Sequence, residues 1–201
     1  MTTALLSSAY CAPVQWFQKL NRYDMVMVEQ YDNFLKQTYS NRCVIATANG
    51  TQALTIPVER PAGEKCLMRD VRISDHGNWR RLHWNALATA YGDSPFFDYY
   101  VDDLHPLFAK KREFLFDFNM EMTEVLCELL DIRPKISLTT SYVDEAENDF
   151  RDAIRPKHPL PDGDFEPVQY YQVYSQRHGF IPNLSILDLL FNMGNEAVFY
   201  L

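Results

Sequence analysis

The sequence has 201 residues, a length that suits one domain, because such a chain can bury most of its apolar surface in a single core. Hydrophobic residues form 47% of it, more than a disordered chain carries, so we expect a compact folded protein. The formal net charge of −8 argues against nucleic-acid binding, which requires clustered Lys and Arg. The densest basic cluster is only Lys110, Lys111 and Arg112.

No stretch combines the charged start and apolar core of a signal peptide, and none approaches the roughly 18 apolar residues that span a bilayer. We therefore expect a cytoplasmic protein without a membrane span. Cys11, Cys43, Cys66 and Cys127 form no Cys-x-x-Cys pair, so we predict reduced thiols rather than a zinc site. The histidines do not fall at metal-ligand spacing, and we expect no metal and no cofactor.

The N-terminal half is predicted to contain mainly strands, with one helix after the first of them. Pro13 suits the first turn of a helix, because its missing N–H has no partner to lose there. The pair Asn49-Gly50 indicates a tight hairpin between two strands. The predicted elements are, in order, a strand at residues 3–10, a helix at 13–20, and strands at 24–29, 42–47, 51–58 and 71–73.

The C-terminal half is mainly helical. Apolar side chains recur at helical spacing in three segments, which predicts helices over residues 79–91, 114–130 and 183–194. Ser185 and Asp188 have the spacing of a capping box that would begin the last helix, so we expect structural roles for both. A strand is predicted at residues 136–143, and a proline-rich, charged stretch at 144–167 predicts a long loop of the kind that forms lids and binding loops.

Together these elements predict an α/β fold, a single domain over residues 1–201 with a mixed β-sheet flanked by helices. The hairpin supplies an antiparallel pair, and the strands joined through a helix supply parallel pairs. This mixture of connections is why we expect the sheet to be mixed.

The segment at residues 24–42 is the one most typical of a functional site. A short apolar run predicts a buried strand, and ligands in α/β folds gather where strands end. Glu29, Lys36, Asn41 and Arg42 follow closely, with aromatic residues between them. We predict that Lys36 and Arg42 bind an anionic group such as phosphate or carboxylate, and that Asn41 orients the substrate. A structural ion-pair network beneath a covering loop is the open alternative.

Tyr10 and His83 are further candidates for this site. Tyr10 stands where the first strand turns into the first helix, and backbone N–H groups at a helix N-terminus can bind an anion. Histidine is the usual general acid or base near neutral pH, so we predict that His83 moves a proton. Glu29 would set the charge state of His83 or Lys36. A tightly packed turn and a capping or solvent-facing histidine are the structural alternatives.

Six motifs run in order along the chain and cover nearly all of it. They are Tyr10-x-x-Pro13-x-x-Trp16-Phe17, Lys36-Gln37-Thr38-Tyr39-Ser40-Asn41-Arg42, Leu54-Thr55-Ile56-Pro57-Val58, Trp79-x-x-x-His83, Tyr91-x-x-x-Pro95-Phe96-Phe97 and Asn183-Leu184-Ser185-Ile186-Leu187-Asp188-Leu189-Leu190-Phe191. Through these motifs the sequence resembles the WbqC-like protein family. It departs from the family pattern at Gln30 and Tyr31, where many members carry adjacent acidic residues, and at Ser7 and Ser8, where Gln-Pro is frequent.

The resemblance implies a function, because family members are associated with bacterial surface-polysaccharide (O-antigen) gene clusters. It implies a cytoplasmic step in making or decorating a sugar precursor. Our hypothesis is a transferase that moves an acyl, aminoacyl or glycosyl group onto that precursor, with a small anionic molecule as its partner. One alternative is a non-catalytic small-molecule-binding or scaffolding protein of a biosynthetic assembly. Another is a thiol-dependent acyltransferase that uses Cys43 or Cys11.

Overall fold

Three parallel strands form the centre of the fold in the computed structural model, which describes residues 1–59 and 65–201. The strands are β1 (Thr3–Ser7), β2 (Met25–Glu29), β3 (Arg42–Thr47), β4 (Gly50–Thr55) and β5 (Ile136–Leu138). In the central sheet the order is β1-β2-β5, with both neighbouring pairs parallel. Parallel neighbours need a crossover connection, and a helix supplies it between β1 and β2.

Strands β3 and β4 form an antiparallel hairpin of their own. Its turn residues are Ala48 and Asn49, one position before the predicted pair, because Thr47 pairs with Gly50. The Thr47 hydroxyl closes the turn by donating to the Gly50 carbonyl oxygen at 2.9 Å. Gly50 has a φ of 111°, a backbone conformation that favours glycine, so it serves as the first residue of β4.

Helices cover the sheet and the hairpin. They are α1 (Val14–Arg22), α2 (Trp79–Tyr91), α3 (Phe97–Ala109), α4 (Leu115–Leu129), α5 (Ser175–His178) and α6 (Ile186–Met193), with 3-10 turns at Met68–Asp70, His76–Asn78 and Gly194–Tyr200. Helix α1 begins after Pro13 and is buried over most of its length, as is α6. Across the two described ranges, no helix is long and apolar enough to cross a membrane.

The predicted α/β class in one domain is confirmed, with the parallel and antiparallel strands in two separate sheets. The helices predicted over residues 79–91, 114–130 and 183–194 correspond to α2, α4 and α6. The hairpin leaves the central sheet because β3 packs against α2 and α6 instead.

Several local predictions differ from the structure. Three predicted strands are shorter than expected, since 3–10 ends at Ser7, 51–58 at Thr55 and 136–143 at Leu138. Residues 71–73 form only isolated bridges, from Ile73 to Val58 and from Arg72 to Phe114, and not a strand. Helix α3 was not predicted, because Pro106 in its interior removes a backbone donor and argues against a helix. The burial of side chains such as Leu104 and Phe108 outweighs that cost in the folded protein.

The loop predicted over residues 144–167 lies in a segment, residues 139–174, that contains no helix or strand. Contacts at two places along this segment help to hold it against the core. Beside β1, Leu5 N–H donates to Asn148 O at 2.9 Å and Phe150 N–H donates to Leu5 O at 3.0 Å. Farther along, Lys19 of α1 forms a buried ion pair with Asp162, with Nζ 2.9 Å from the carboxylate.

We expect Lys19→Met to lower the free energy of unfolding by about 3–5 kcal/mol, because it leaves the buried Asp162 charge without its cationic partner. Burial pushes the pKa of Asp162 up, but Lys19 and the other donors hold it below its ordinary value. The stability contributed by Asp162 is therefore lost as the pH falls through its lowered pKa. The difference in free energy of unfolding between wild type and Lys19→Met should therefore become smaller below about pH 4.

Urea denaturation at several pH values measures this effect. Lys110→Met is the matched control, because Lys110 is exposed and its loss should change stability little. Equal stabilities of the two variants would contradict a structural role for the Lys19 ion pair.

Asp188 lies in a buried hydroxyl network rather than in the predicted capping box. Ser185 does cap α6, since its hydroxyl accepts from Leu187 N–H at 3.3 Å. The Asp188 carboxylate instead accepts from Tyr91 Oη at 2.8 Å and from Tyr170 Oη at 2.7 Å. Burial raises the pKa of Asp188 above its ordinary value, although these hydroxyl donors lower it in part. Its role is structural, as predicted, but its partners are distant in sequence.

We expect Tyr170→Phe to destabilise the protein by about 1–3 kcal/mol, because it removes one donor from the buried Asp188 carboxylate. Losing a donor raises the pKa of Asp188 further, so the cost should be larger above that pKa, where the group is charged, and smaller below it. Guanidinium denaturation measures the stability of Tyr170→Phe. The control is Tyr171→Phe, which makes the same change at a neighbouring exposed position. A larger loss in the control would refute the assignment.

Candidate functional site

Polar residues follow all three parallel strands at the same edge of the central sheet, which we call the carboxyl edge. Ser8 follows β1, Glu29 ends β2 and Thr139 follows β5. In open α/β sheets ligands bind in the crevice outside the carboxyl ends of the strands. We therefore expect a binding site at the carboxyl edge.

The Glu29 carboxylate is buried at the carboxyl edge and accepts hydrogen bonds from several segments. Oε1 accepts from Tyr31 N–H and from the Thr139 hydroxyl, each at 2.8 Å, and Oε2 accepts from Val143 N–H at 2.9 Å. Nη1 of Arg151 lies 3.8 Å from Oε2. Glu29 thus ties the loops after β2 and β5 together beneath a guanidinium group.

Arg151 is held rigidly by a neighbouring carboxylate. Its Nε lies 3.0 Å from Asp149 Oδ1 and its Nη2 lies 2.6 Å from Asp149 Oδ2, a bidentate geometry. The hydrogen bonds to Asp149 raise the pKa of Arg151, so the guanidinium stays charged. Its side chain is only 8% exposed, and Nη1 has no hydrogen-bond partner among the described residues.

A cleft of about 450 Å³, the edge cleft, opens at the carboxyl edge. This volume includes open solvent at the mouth of the cleft, and the part that water-sized groups can occupy is about 30 Å³. The charged residues that line it are Asp32, Arg151 and Arg155, and the remaining lining residues are Ser7, Ser8, Ala9, Trp16, Asn33, Leu35, Thr38, Tyr39, Ser40, Phe150 and Ile154. The edge cleft therefore combines two cations, one carboxylate, several hydroxyl groups and an aromatic wall.

The two cations that line the edge cleft are both paired with carboxylates, Arg151 with Asp149 and Arg155 with Asp152. Arg155 is more exposed than Arg151 and pairs with Asp152 at the surface. Asp32 is half-buried, and Asn33 N–H donates to its Oδ1 at 2.8 Å. Burial, the largest effect, raises the pKa of Asp32 above its ordinary value, and Arg151 opposes it in part. Asp32 is thus a better proton acceptor than an ordinary aspartate.

Tyr10 and His83, both predicted site residues, are brought together in the core. Tyr10 Oη lies 3.0 Å from His83 Nδ1, and both side chains are buried. Burial lowers the pKa of His83 to about 4, so the imidazole is neutral at neutral pH. Neither residue lines the edge cleft, but Tyr10 N–H donates to the carbonyl oxygen of Tyr39, which does, at 2.9 Å. The backbone of Tyr10 is thus joined to one wall of the edge cleft.

The structure places the other predicted binding residues around the hairpin and its approach. Asn41 is buried and donates from Nδ2 to Ile56 O at 2.8 Å, which fixes the chain after β4. Arg42 donates from Nε to the Thr55 hydroxyl across the hairpin at 3.1 Å. Lys36 is exposed, next to Leu35 in the wall of the edge cleft. Lys36, Asn41 and Arg42 are outside the lining of the edge cleft.

Sequence reasoning does not select Arg151 or Arg155, because both fall in the segment without predicted helix or strand. A signal was present, since Phe150 and Ile154 are apolar residues four apart in a charged stretch. Both are buried, which pins that stretch to the core. Within the described residues, no group of three or more His, Cys, Asp or Glu side chains is arranged to hold a metal ion.

Comparisons with known proteins support the resemblance found in the sequence. The WbqC-like protein family model matches residues 8–155 and 163–200, which include most of the edge cleft. The uncharacterized protein Rv1507c of Mycobacterium tuberculosis (strain ATCC 25618 / H37Rv) is similar, with 25% identity over 223 residues that cover 98% of this chain and 96% of that protein. No solved structure matches the chain. Because the family model covers most of its length, the chain belongs to the WbqC-like protein family.

Proposed function

We propose that this protein is a transferase of bacterial surface-polysaccharide biosynthesis and that it binds an anionic sugar precursor in the edge cleft. The buried Arg151 guanidinium carries the proposal, because its Nη1 has no hydrogen-bond partner among the described residues. An unpaired buried donor is costly, and an anionic oxygen of a ligand would remove that cost. Family membership supports the biosynthetic setting.

The binding role is divided between the two arginines of the edge cleft. Arg151, fixed by Asp149, presents a preorganised donor to a phosphate or carboxylate group. Arg155, one third exposed, can approach the same anion from the solvent side. Tyr39, which is half-buried, offers apolar surface to a sugar ring, and the nearby serine hydroxyls offer hydrogen bonds.

The transfer step needs a base, and we assign that role to Asp32. The acceptor hydroxyl or amine bonds to the acyl or anomeric carbon of the donor and gives its proton to the Asp32 carboxylate. The bond from that carbon to the leaving group breaks, and the leaving group departs as an anion. Arg151 and Arg155 stabilise the charge that develops on it.

The residues predicted from the sequence keep defined places in this proposal. Glu29 positions Arg151 and the loops around it, because its carboxylate contacts both. The proton transfer predicted for His83 stays a prediction, as do the anion contacts of Lys36 and Arg42. His83 is the alternative to Asp32 as the base, and comparison of Asp32→Asn with His83→Gln distinguishes the two.

A non-catalytic ligand-binding protein is the second candidate function. The bidentate contact between Arg151 and Asp149, together with the nearby Glu29, favours it, because such a network can exist for structure and binding alone. It predicts ligand binding in the edge cleft without turnover.

We expect Arg155→Gln to weaken binding of an anionic ligand about tenfold, because a charged hydrogen bond contributes about 1.5 kcal/mol. Nucleotide sugars, acyl-coenzyme A species and amino acids form the test panel, and thermal shifts identify which of them bind. Titration of each hit then compares wild type with the variant. Arg133→Gln is the control, because it removes the same charge at an exposed position outside the edge cleft. Equal affinities of wild type and Arg155→Gln would place the ligand elsewhere.

We expect Asp32→Asn to lower turnover at least about 100-fold while leaving ligand affinity equal or tighter, because it removes the base and one negative charge. Wild-type activity should rise with pH through the raised pKa of Asp32, since only the carboxylate accepts a proton. His83→Gln, measured in parallel with circular dichroism to verify the fold, should stay within a few-fold of wild type. Loss of turnover in His83→Gln alone would transfer the base role to His83.

A further inference from the structure

A second cavity with positive charge, the basic groove, lies between the start of α2 and the end of α3. It measures about 390 Å³ and shares no lining residue with the edge cleft. Its cationic residues are Arg80, Arg81 and Lys111, and His105 stands beside them. A concentration of cations in a chain of net charge −8 calls for a physical explanation.

The carboxylate that faces the basic groove does not neutralise it. Asp75 pairs with two of the cations, with Oδ1 2.6 Å from Arg80 Nη1 and Oδ2 2.6 Å from Lys111 Nζ. Arg81 forms no ion pair within residues 1–59 and 65–201. Three cations therefore meet one paired carboxylate, which leaves an excess of positive charge in the basic groove.

Arg80 supplies a donor that has no acceptor. Its guanidinium stacks over the Trp79 ring at 4.7 Å and its side chain is only 13% exposed. The contact with Asp75 uses Nη1, whereas Nη2 is buried and has no hydrogen-bond partner in the described part of the chain. Stacking and the ion pair fix the guanidinium, so this donor is preorganised for an anionic oxygen.

An aromatic wall stands beside these cations. Trp84 is half-buried, lines the basic groove and meets the His105 ring edge to face at 4.8 Å. Phe108 packs against the same indole at 5.6 Å. Aromatic side chains next to arginine and lysine are the combination that binds a flat base together with its phosphates.

We propose that the basic groove is a second ligand site that binds an organic phosphate with an aromatic ring, of the nucleoside diphosphate class. Arg80, Arg81 and Lys111 contact the phosphate oxygens, and the base packs against Trp84. This site uses other residues than the edge cleft and does not depend on the transferase proposal.

Isothermal titration of the full chain with ADP and with inorganic pyrophosphate tests this site. We expect ADP to bind wild type at least about fivefold more tightly than pyrophosphate, because only ADP carries a base to stack. Arg81→Gln should weaken ADP binding at least about fivefold, and rising salt should weaken it further. Arg81 is exposed, so this variant should fold. Arg133→Gln and the edge-cleft variant Arg155→Gln should retain wild-type affinity for ADP.

Three results would overturn the proposal. If wild type does not bind ADP, the basic groove is not a site for this ligand class. If ADP and pyrophosphate bind with equal affinity, the base makes no stabilising contact with Trp84. An effect of Arg155→Gln as large as that of Arg81→Gln moves the nucleotide to the edge cleft.

Discussion

The buried Glu29 carboxylate at the end of β2 is the constraint on which the carboxyl edge depends. A carboxylate without donors in the core would be costly, so the surrounding chain must supply them. The donors come from Tyr31, Thr139 and Val143, with the Arg151 guanidinium close by. One strand end thereby fixes the paths of the loops after β2 and β5. The edge cleft opens beside these loops, with Arg151 in its lining.

Residues 139–174, which contain no helix or strand, are also held in place by hydrogen bonds and an ion pair to buried groups. Its backbone pairs with Leu5 on the free edge of β1, and its far end is held by the buried contact between Lys19 and Asp162. Anchoring at two points removes most of the freedom of the residues between them. Arg151 therefore meets Asp149 in a fixed geometry, although it lies outside any regular element.

Negative side chains outnumber positive ones in this chain, and several of the positive side chains are grouped at two cavities. The edge cleft is lined by two arginines that are paired with carboxylates, and the basic groove is lined by three cations. Each contains a buried guanidinium nitrogen without a hydrogen-bond partner among the described residues. Such nitrogens are costly in a folded protein unless a ligand or water satisfies them. Two separate sites for anionic groups would suit a protein that handles more than one phosphorylated or carboxylated molecule.

The sequence by itself determined the family, the α/β class and the bounds of elements such as α2, because periodicity, caps and motifs are local properties of the chain. It also indicated the strand end at residues 24–42, from which six residues that line the edge cleft come. Only the tertiary structure decided the partners of buried charges. Glu29 and Val143 are 114 residues apart, and no local pattern encodes their contact. The burial of His83 against Tyr10 and the survival of α3 around Pro106 likewise depend on long-range packing, which outweighs local propensity.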